Sequence, residues 1–226
     1  MTCEDYISMQ KECDEKFLDN ELKWIKSQQD YKIILMGDII DASLKTSPGS
    51  SVYDTNMNVE EQYEHCLKKF APFKDNIIGL IQGNHEERIT RETGLDISKI
   101  MARELGVNYF GHSSLIKIKV GTQNYDIYAT HGSSGATTHS GRLNSLMKLS
   151  KSFYADCYLM GHTHDLFTHS DIFRTFRGEN KRYYVLTGHF LNWLGSYAQN
   201  KDFPPTTKGM AKIKLFKDVK DIRVHI

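Results

Sequence analysis

Gly83-Asn84-His85-Glu86 sets an amide, an imidazole and a carboxylate in succession behind a glycine. It follows Asn76-Ile77-Ile78-Gly79-Leu80-Ile81-Gln82, a short apolar run that reads as a buried strand. Ligands bind at the carboxyl ends of strands in open α/β sheets. Asn84 offers a neutral oxygen there, and His85 offers either a proton carrier or a metal ligand. Alone, such a tetrapeptide is read equally well as a polar strand-to-loop turn. Three further fragments follow strand-like runs in the same way: Gly37-Asp38-Ile39-Ile40-Asp41, His131-Gly132-Ser133 and Gly161-His162-Thr163-His164. The four taken together disfavour the bland reading.

Outward from these fragments, the chain alternates helical and strand patterns. A helix is expected from about Asp14 to Gln29, with Asp14 as N-cap, then a strand at 32–36 that delivers Gly37-Asp38. Residues 42–58 read as a long loop beside the site. A helix follows from Val59 to Phe70, and the region 86–106 reads as two helical pieces parted near Gly94, the second capped by Asp96. Residues 115–120 and 125–130 alternate around a turn, which is a β-hairpin signal. Residues 132–141 read as a loop, followed by a helix to about Ser152. Strands are expected at 157–160, 182–187, 210–216 and 222–224, with an irregular loop at 190–208.

The chain has 226 residues, 39% hydrophobic and 25% charged, with a formal net charge of +1. That is long enough for one substantial core, and a single domain over 1–226 is expected. The charge balance argues against a strongly basic nucleic-acid surface. No run approaches the roughly 18 apolar residues of a membrane span, and no membrane partner is expected. The acidic N-terminus has no signal-peptide pattern. Cys3, Cys13, Cys66 and Cys157 are scattered, without a Cys-x-x-Cys pair. A disulfide framework or structural zinc site is not expected, and a reducing cytoplasm fits.

With those four motifs in that order, the chain strongly resembles the calcineurin-like metallophosphoesterases, of the phosphodiesterase or nuclease type. The resemblance implies an α/β fold, a four-layer sandwich of two mixed sheets packed face to face and flanked by helices. It implies hydrolysis of a phosphate mono- or diester by a hydroxide activated between two divalent ions, Mn²⁺ first, with Fe, Zn²⁺ or Ni²⁺ as alternatives. Carried over residue by residue, Asp38 would bridge the two ions. Asn84, His131 and His162 would complete one shell, and His164 would belong to the other. His85 would be the general acid, worth about 10²–10⁴-fold. Asp41 and Glu86 are candidates for orienting the imidazoles from behind. The partner implied is a phosphate ester, with nucleotides and nucleic acid among the candidates. Ala42 stands where the protein-phosphatase branch has an Arg, which disfavours that branch.

The family also opens with an Asp-x-His motif that serves the first metal. No histidine precedes His65 here; Asp5 can stand in for the Asp, but Ile7 occupies the histidine place. Three readings stay open: a motif upstream of Met1, a weakened first metal site, or loss of activity. The competing function is a non-catalytic or mono-metal binding module. Of the remaining histidines, His65, His112, His139, His169 and His225 match no motif, and His189 is a candidate for lying near the site.

Overall fold

The computed structural model describes residues 13–45, 57–176, 178–194, 199 and 202–226. Asp5 lies outside the described residues, as does most of the loop expected at 42–58. The chain forms two compact units: Gln29–Ser114, and Leu115–Ile226 together with the chain up to Gln28.

Helix α1 (Glu15–Ser27) opens the described chain. Asp14 caps it, its side chain accepting from the Phe17 N–H, and the apolar face buries Leu22 and Ile25. The Asp14 N–H donates to the Phe190 carbonyl at 2.8 Å, and Cys13 bridges to Leu191. The start of α1 is therefore tied to the segment just after His189.

The Gln29–Ser114 unit holds β1 (Ile33–Leu35), α2 (Val59–Phe70), β2 (Ile77–Leu80), α3 (Asn84–Thr93), α4 (Ile97–Leu105) and β3 (Asn108–Tyr109). A capping box at Asn58 and Glu61 starts α2. Gly94 and Gly106 end α3 and α4 in the left-handed conformation, where a Cβ would be strained. The sheet order is β1-β2-β3, all parallel, with Leu35 opposite Leu80. Parallel pairing puts the carboxyl ends of β1 and β2 on one edge. From that edge the chain passes into Gly37-Asp38 and into Gly83-Asn84. The two-residue β3 is too short to leave a periodic trace in the sequence.

The second unit holds β4 (Ser113–Val120), β5 (Gln123–Thr130), α5 (His139–Leu149), β6 (Cys157–Met160), β7 (Leu166–Thr175), β8 (Gly178–His189), β9 (Gly209–Met210), β10 (Lys212–Leu215) and β11 (Ile222–His225). Its main sheet runs β4-β5-β6-β8-β7, with β9 on β8, and β10 pairs with β11 separately. β5, β6 and β8 are parallel neighbours, with Thr130 opposite Met160 and Met160 opposite Leu186. Their carboxyl ends deliver His131, His162 and His189 to one edge. Beneath them Tyr128, Leu146, Tyr158, Met160, Tyr184 and Leu186 form a buried cluster, in which Tyr158 and Tyr184 stack at 5.0 Å.

Three details depart from the sequence reading. Strand β7 spans ten residues where no strand is expected, because Leu166–Thr175 mixes polar and apolar residues on both alternating faces. Its antiparallel register with β8 runs from Leu166–Thr187 to Thr175–Gly178, reinforced by the Arg182–Asp171 pair at 2.9 and 2.7 Å. Helix α5 begins at His139, inside the stretch read as loop. Its cap is Thr138, which accepts from the Gly141 N–H, a signal hidden among the Gly, Ser and Thr around it. The strand expected at 210–216 is divided at Ala211 between β9 and β10, so its halves serve different sheets. Among the described residues Cys13, Cys66 and Cys157 form no disulfide, and no helix is long and apolar enough to cross a membrane.

Candidate metal centre

In the first unit the Gly37–Asp41 loop is folded around one carboxylate. Glu86, 2% exposed, sits in the first turn of α3 and points back under the β1–β2 edge. Its Oε2 accepts from the Asp38 N–H at 3.0 Å and the Gly83 N–H at 3.0 Å. Its Oε1 accepts from the Ile39 N–H at 2.5 Å and the Ile40 N–H at 3.1 Å. Burial and the Asp38 carboxylate push Glu86 above its ordinary pKa, and the amide donors pull the other way. Glu86 reads in the sequence as a candidate for orienting imidazoles. In the structure its bonds clamp the Asp38 loop instead.

The clamp brings the backbones together so closely that only glycine fits at 83. A Cβ there would lie 2.1 Å from the Asp38 nitrogen and 2.2 Å from its Oδ1. Asp38 takes a left-handed φ of 50°, and its Oδ1 accepts from the His85 N–H at 3.0 Å. From the outer side, α2 supports the same loop: Gln62 accepts from the Ala42 N–H at 3.2 Å, and the Cys66 thiol reaches the Ile39 carbonyl at 3.2 Å.

His85 is oriented by Asp41. Its Nδ1 lies 2.7 Å from the Asp41 carbonyl and 3.3 Å from Asp41 Oδ1. A carbonyl only accepts, so Nδ1 carries a hydrogen. The other nitrogen, Nε2, lies 3.9 Å from Asp38 Oδ2. Burial works against a charge on this ring, but Asp41 and Asp38 outweigh it and hold the His85 pKa above its ordinary value. For Asp41 the same balance runs the other way: burial raises its pKa, and the bonds from His85 and Ser43 carry it below the ordinary value. Asn84 is the first residue of α3. Asp38, Asp41, Asn84, His85 and Glu86 therefore share one strand edge.

The second unit presents histidines. His131 is buried after β5, and its ring meets that of His162 edge-on, with centroids 5.1 Å apart. Gly132, at φ 90°, follows His131, and a Cβ on it would strike Met160 at 2.7 Å. His162 and His164 have left-handed φ of 61° and 49°, with a tight bond from the Thr163 N–H to the Gly161 carbonyl between them. An extended strand would line residues i and i+2 along one face; the left-handed φ at both histidines takes them out of that geometry and into a tight loop. His164 lies beside His189, with ring centroids 5.7 Å apart. His139 is engaged by the buried Asp165, 2.6 Å from its Nδ1.

The edge of the first unit offers a carboxylate and an amide oxygen, and that of the second offers three imidazoles. Oxygen donors of the first kind suit Mn²⁺, and imidazoles suit Fe or Zn²⁺ and suit Ca²⁺ poorly. The donors of each unit are therefore of types that fit a divalent metal. The sequence reading assigned no role of its own to Gly83, and it did not find the clamp made by Glu86 or Thr206 beside His189. Only Gly83 had a local signal, its place directly before Asn84.

A family model for calcineurin-like phosphoesterases matches residues 14–225. Among solved structures, the chain is similar to a double mutant of Vps29 from Entamoeba histolytica. The two are 15% identical, with a TM-score of 0.38, over 85% of this chain and 96% of that one. A single mutant of the same protein gives 16% identity and a TM-score of 0.33, over 80% of this chain and 81% of that one. No curated protein matches the chain.

Proposed function

This chain belongs to the calcineurin-like phosphoesterase family, and we propose that it is a metal-dependent hydrolase of phosphate esters, with a phosphodiester or nucleotide as the favoured substrate. The observation that carries the reading is the position of backbone strain. Among the described residues, six non-glycine positions have left-handed φ: Asp30, Asp38, Ala42, His162, His164 and Asp202. Three of the six are residues of the metal motifs, and Ala42 follows Asp41. Such conformations cost about 1–3 kcal/mol each and persist where the surrounding structure imposes them.

Asp38, Asn84, His131, His162 and His164 are assigned as the residues that would hold divalent metal, with Mn²⁺ favoured. When bound, a pair of such ions would supply Lewis acidity and an activated water. The chain's own catalytic group is His85. Asp41 fixes its Nδ1, so Nε2 is the nitrogen left to deliver a proton to the leaving oxygen, and the Asp41 and Asp38 carboxylates favour the charged ring. Replacing His85 with Ala is expected to lower turnover roughly 10²-fold or more without changing metal content. Loss of metal along with activity would make His85 a ligand instead.

The reaction class is tested by hydrolysis of bis-p-nitrophenyl phosphate against p-nitrophenyl phosphate with added Mn²⁺. The diester is the expected better substrate, and EDTA is expected to abolish the rate. A rate indifferent to EDTA, or no hydrolysis of either ester, sinks the proposal.

A further inference from the structure

We propose that His189 and Thr206 are positioning residues that hold His164 in its left-handed conformation for metal binding; this rests on His164 being a ligand, as proposed above. The geometry fixes the direction of every hydrogen in the chain of bonds that links them. The Leu191 backbone N–H donates to His189 Nδ1 at 3.1 Å, so that nitrogen carries no proton. The Thr206 hydroxyl donates to the His164 carbonyl at 2.5 Å. Its oxygen must therefore accept from His189, whose Nε2 lies 2.9 Å away. His189 is thus the neutral tautomer with its proton on Nε2.

Both ring nitrogens of His189 are used in this chain, so His189 does not ligate metal while the chain is intact. Its role is to pin the carbonyl of a residue whose φ of 49° a histidine rarely adopts. Both ends of the relay are anchored. Leu191 bridges to Cys13, and Lys208, two residues past Thr206, is paired with Asp14 and donates to Asn192 Oδ1 at 2.9 Å. Gly188 and Gly209 meet just behind His189, so closely that a Cβ on Gly188 would lie 2.1 Å from the Gly209 carbonyl oxygen. The segments that carry His189 and Thr206 are held in register by β-pairing of His189 with Gly209.

The test compares Thr206→Val, which deletes the hydroxyl at nearly constant volume, with Thr206→Ser, which keeps it. The first readout is long-range ¹H–¹⁵N NMR of the metal-free protein. The wild type and Thr206→Ser are expected to show His189 protonated on Nε2 and one His164 backbone signal set. In Thr206→Val the His164 signals are expected to shift or broaden. The second readout is calorimetric Mn²⁺ titration, following the ion that His164→Ala removes. Its affinity is expected to fall about 10-fold in Thr206→Val and to stay near wild type in Thr206→Ser. A proton on His189 Nδ1, an unmoved His164 in Thr206→Val, a Mn²⁺ titration unchanged in Thr206→Val, or Thr206→Ser behaving like Thr206→Val would each overturn the inference. If His164→Ala removes no ion, the ligand assignment fails and takes the metal role of this relay with it. The NMR readout still decides separately whether the relay holds the loop.

Discussion

Glu86→Ala is expected to destabilise the protein by about 4 kcal/mol, since it strips the acceptor from four backbone N–H groups, two buried and two half-buried. For a chain of this length that corresponds to a fall in Tm of roughly 10 °C. The four donors belong to Gly83 and to three consecutive residues of the Asp38 loop, so the loss is concentrated at one turn. Mn²⁺ affinity should fall with it, because Asp38 no longer has a fixed place. Glu86→Gln separates charge from shape. Its single amide oxygen can serve at most two of the four donors, while its NH₂ faces the others, so about half the destabilisation is expected. Thermal unfolding of the metal-free variants measures both effects. A Glu86→Gln protein as stable as the wild type would show that the clamp does not need a carboxylate, and the account of this loop would be wrong.

The second large effect is on rate and leaves the fold standing. Asp38→Asn keeps an oxygen to accept from the His85 N–H, and Asn is among the residues that best tolerate a left-handed φ. It also removes a negative charge beside the buried Glu86. The metal-free variant is therefore expected to be at least as stable as the wild type. Turnover of bis-p-nitrophenyl phosphate is expected to drop about 10³-fold or more, since the charge that would hold two cations together is gone, and metal clamping of this kind is worth several kcal/mol. Calorimetry should show weakened Mn²⁺ binding. Activity within 10-fold of wild type, with both ions still bound, would remove Asp38 from the proposed role. A gain in stability paired with a loss of rate is the pattern of a residue kept for chemistry at a structural cost.

How much of the site is legible in the sequence follows from the range of the forces involved. Asp38, Asn84, His131, His162 and His164 are readable because each follows a short apolar run. A run of that kind specifies a strand locally, through β-branched and apolar side chains. Helix caps are equally local: Asp14, Asn58 and Asp96 each bond an N–H three residues on. The sequence by itself therefore determined the helices, the buried strands and the four motif tips, together with the chemistry their side chains can offer.

Contacts distant in sequence decided the rest. Strand β7 exists because ten of its residues find partners on β8, which no periodicity within Leu166–Thr175 announces. Glu86 reads as a first-turn helix acid. Its role as a clamp comes from amides more than forty residues away, brought under it by the parallel pairing of β1 and β2. Gly83 reads as a turn glycine, and what requires it is the Asp38 backbone pressed against it. His189 carries no motif. Its tautomer and its tie to His164 depend on Thr206, seventeen residues on, and on a backbone N–H fixed through Cys13. Short apolar runs and caps are written residue by residue because their energies are local. Backbone strain, tautomers and buried carboxylates are set by partners that only the folded chain brings into reach.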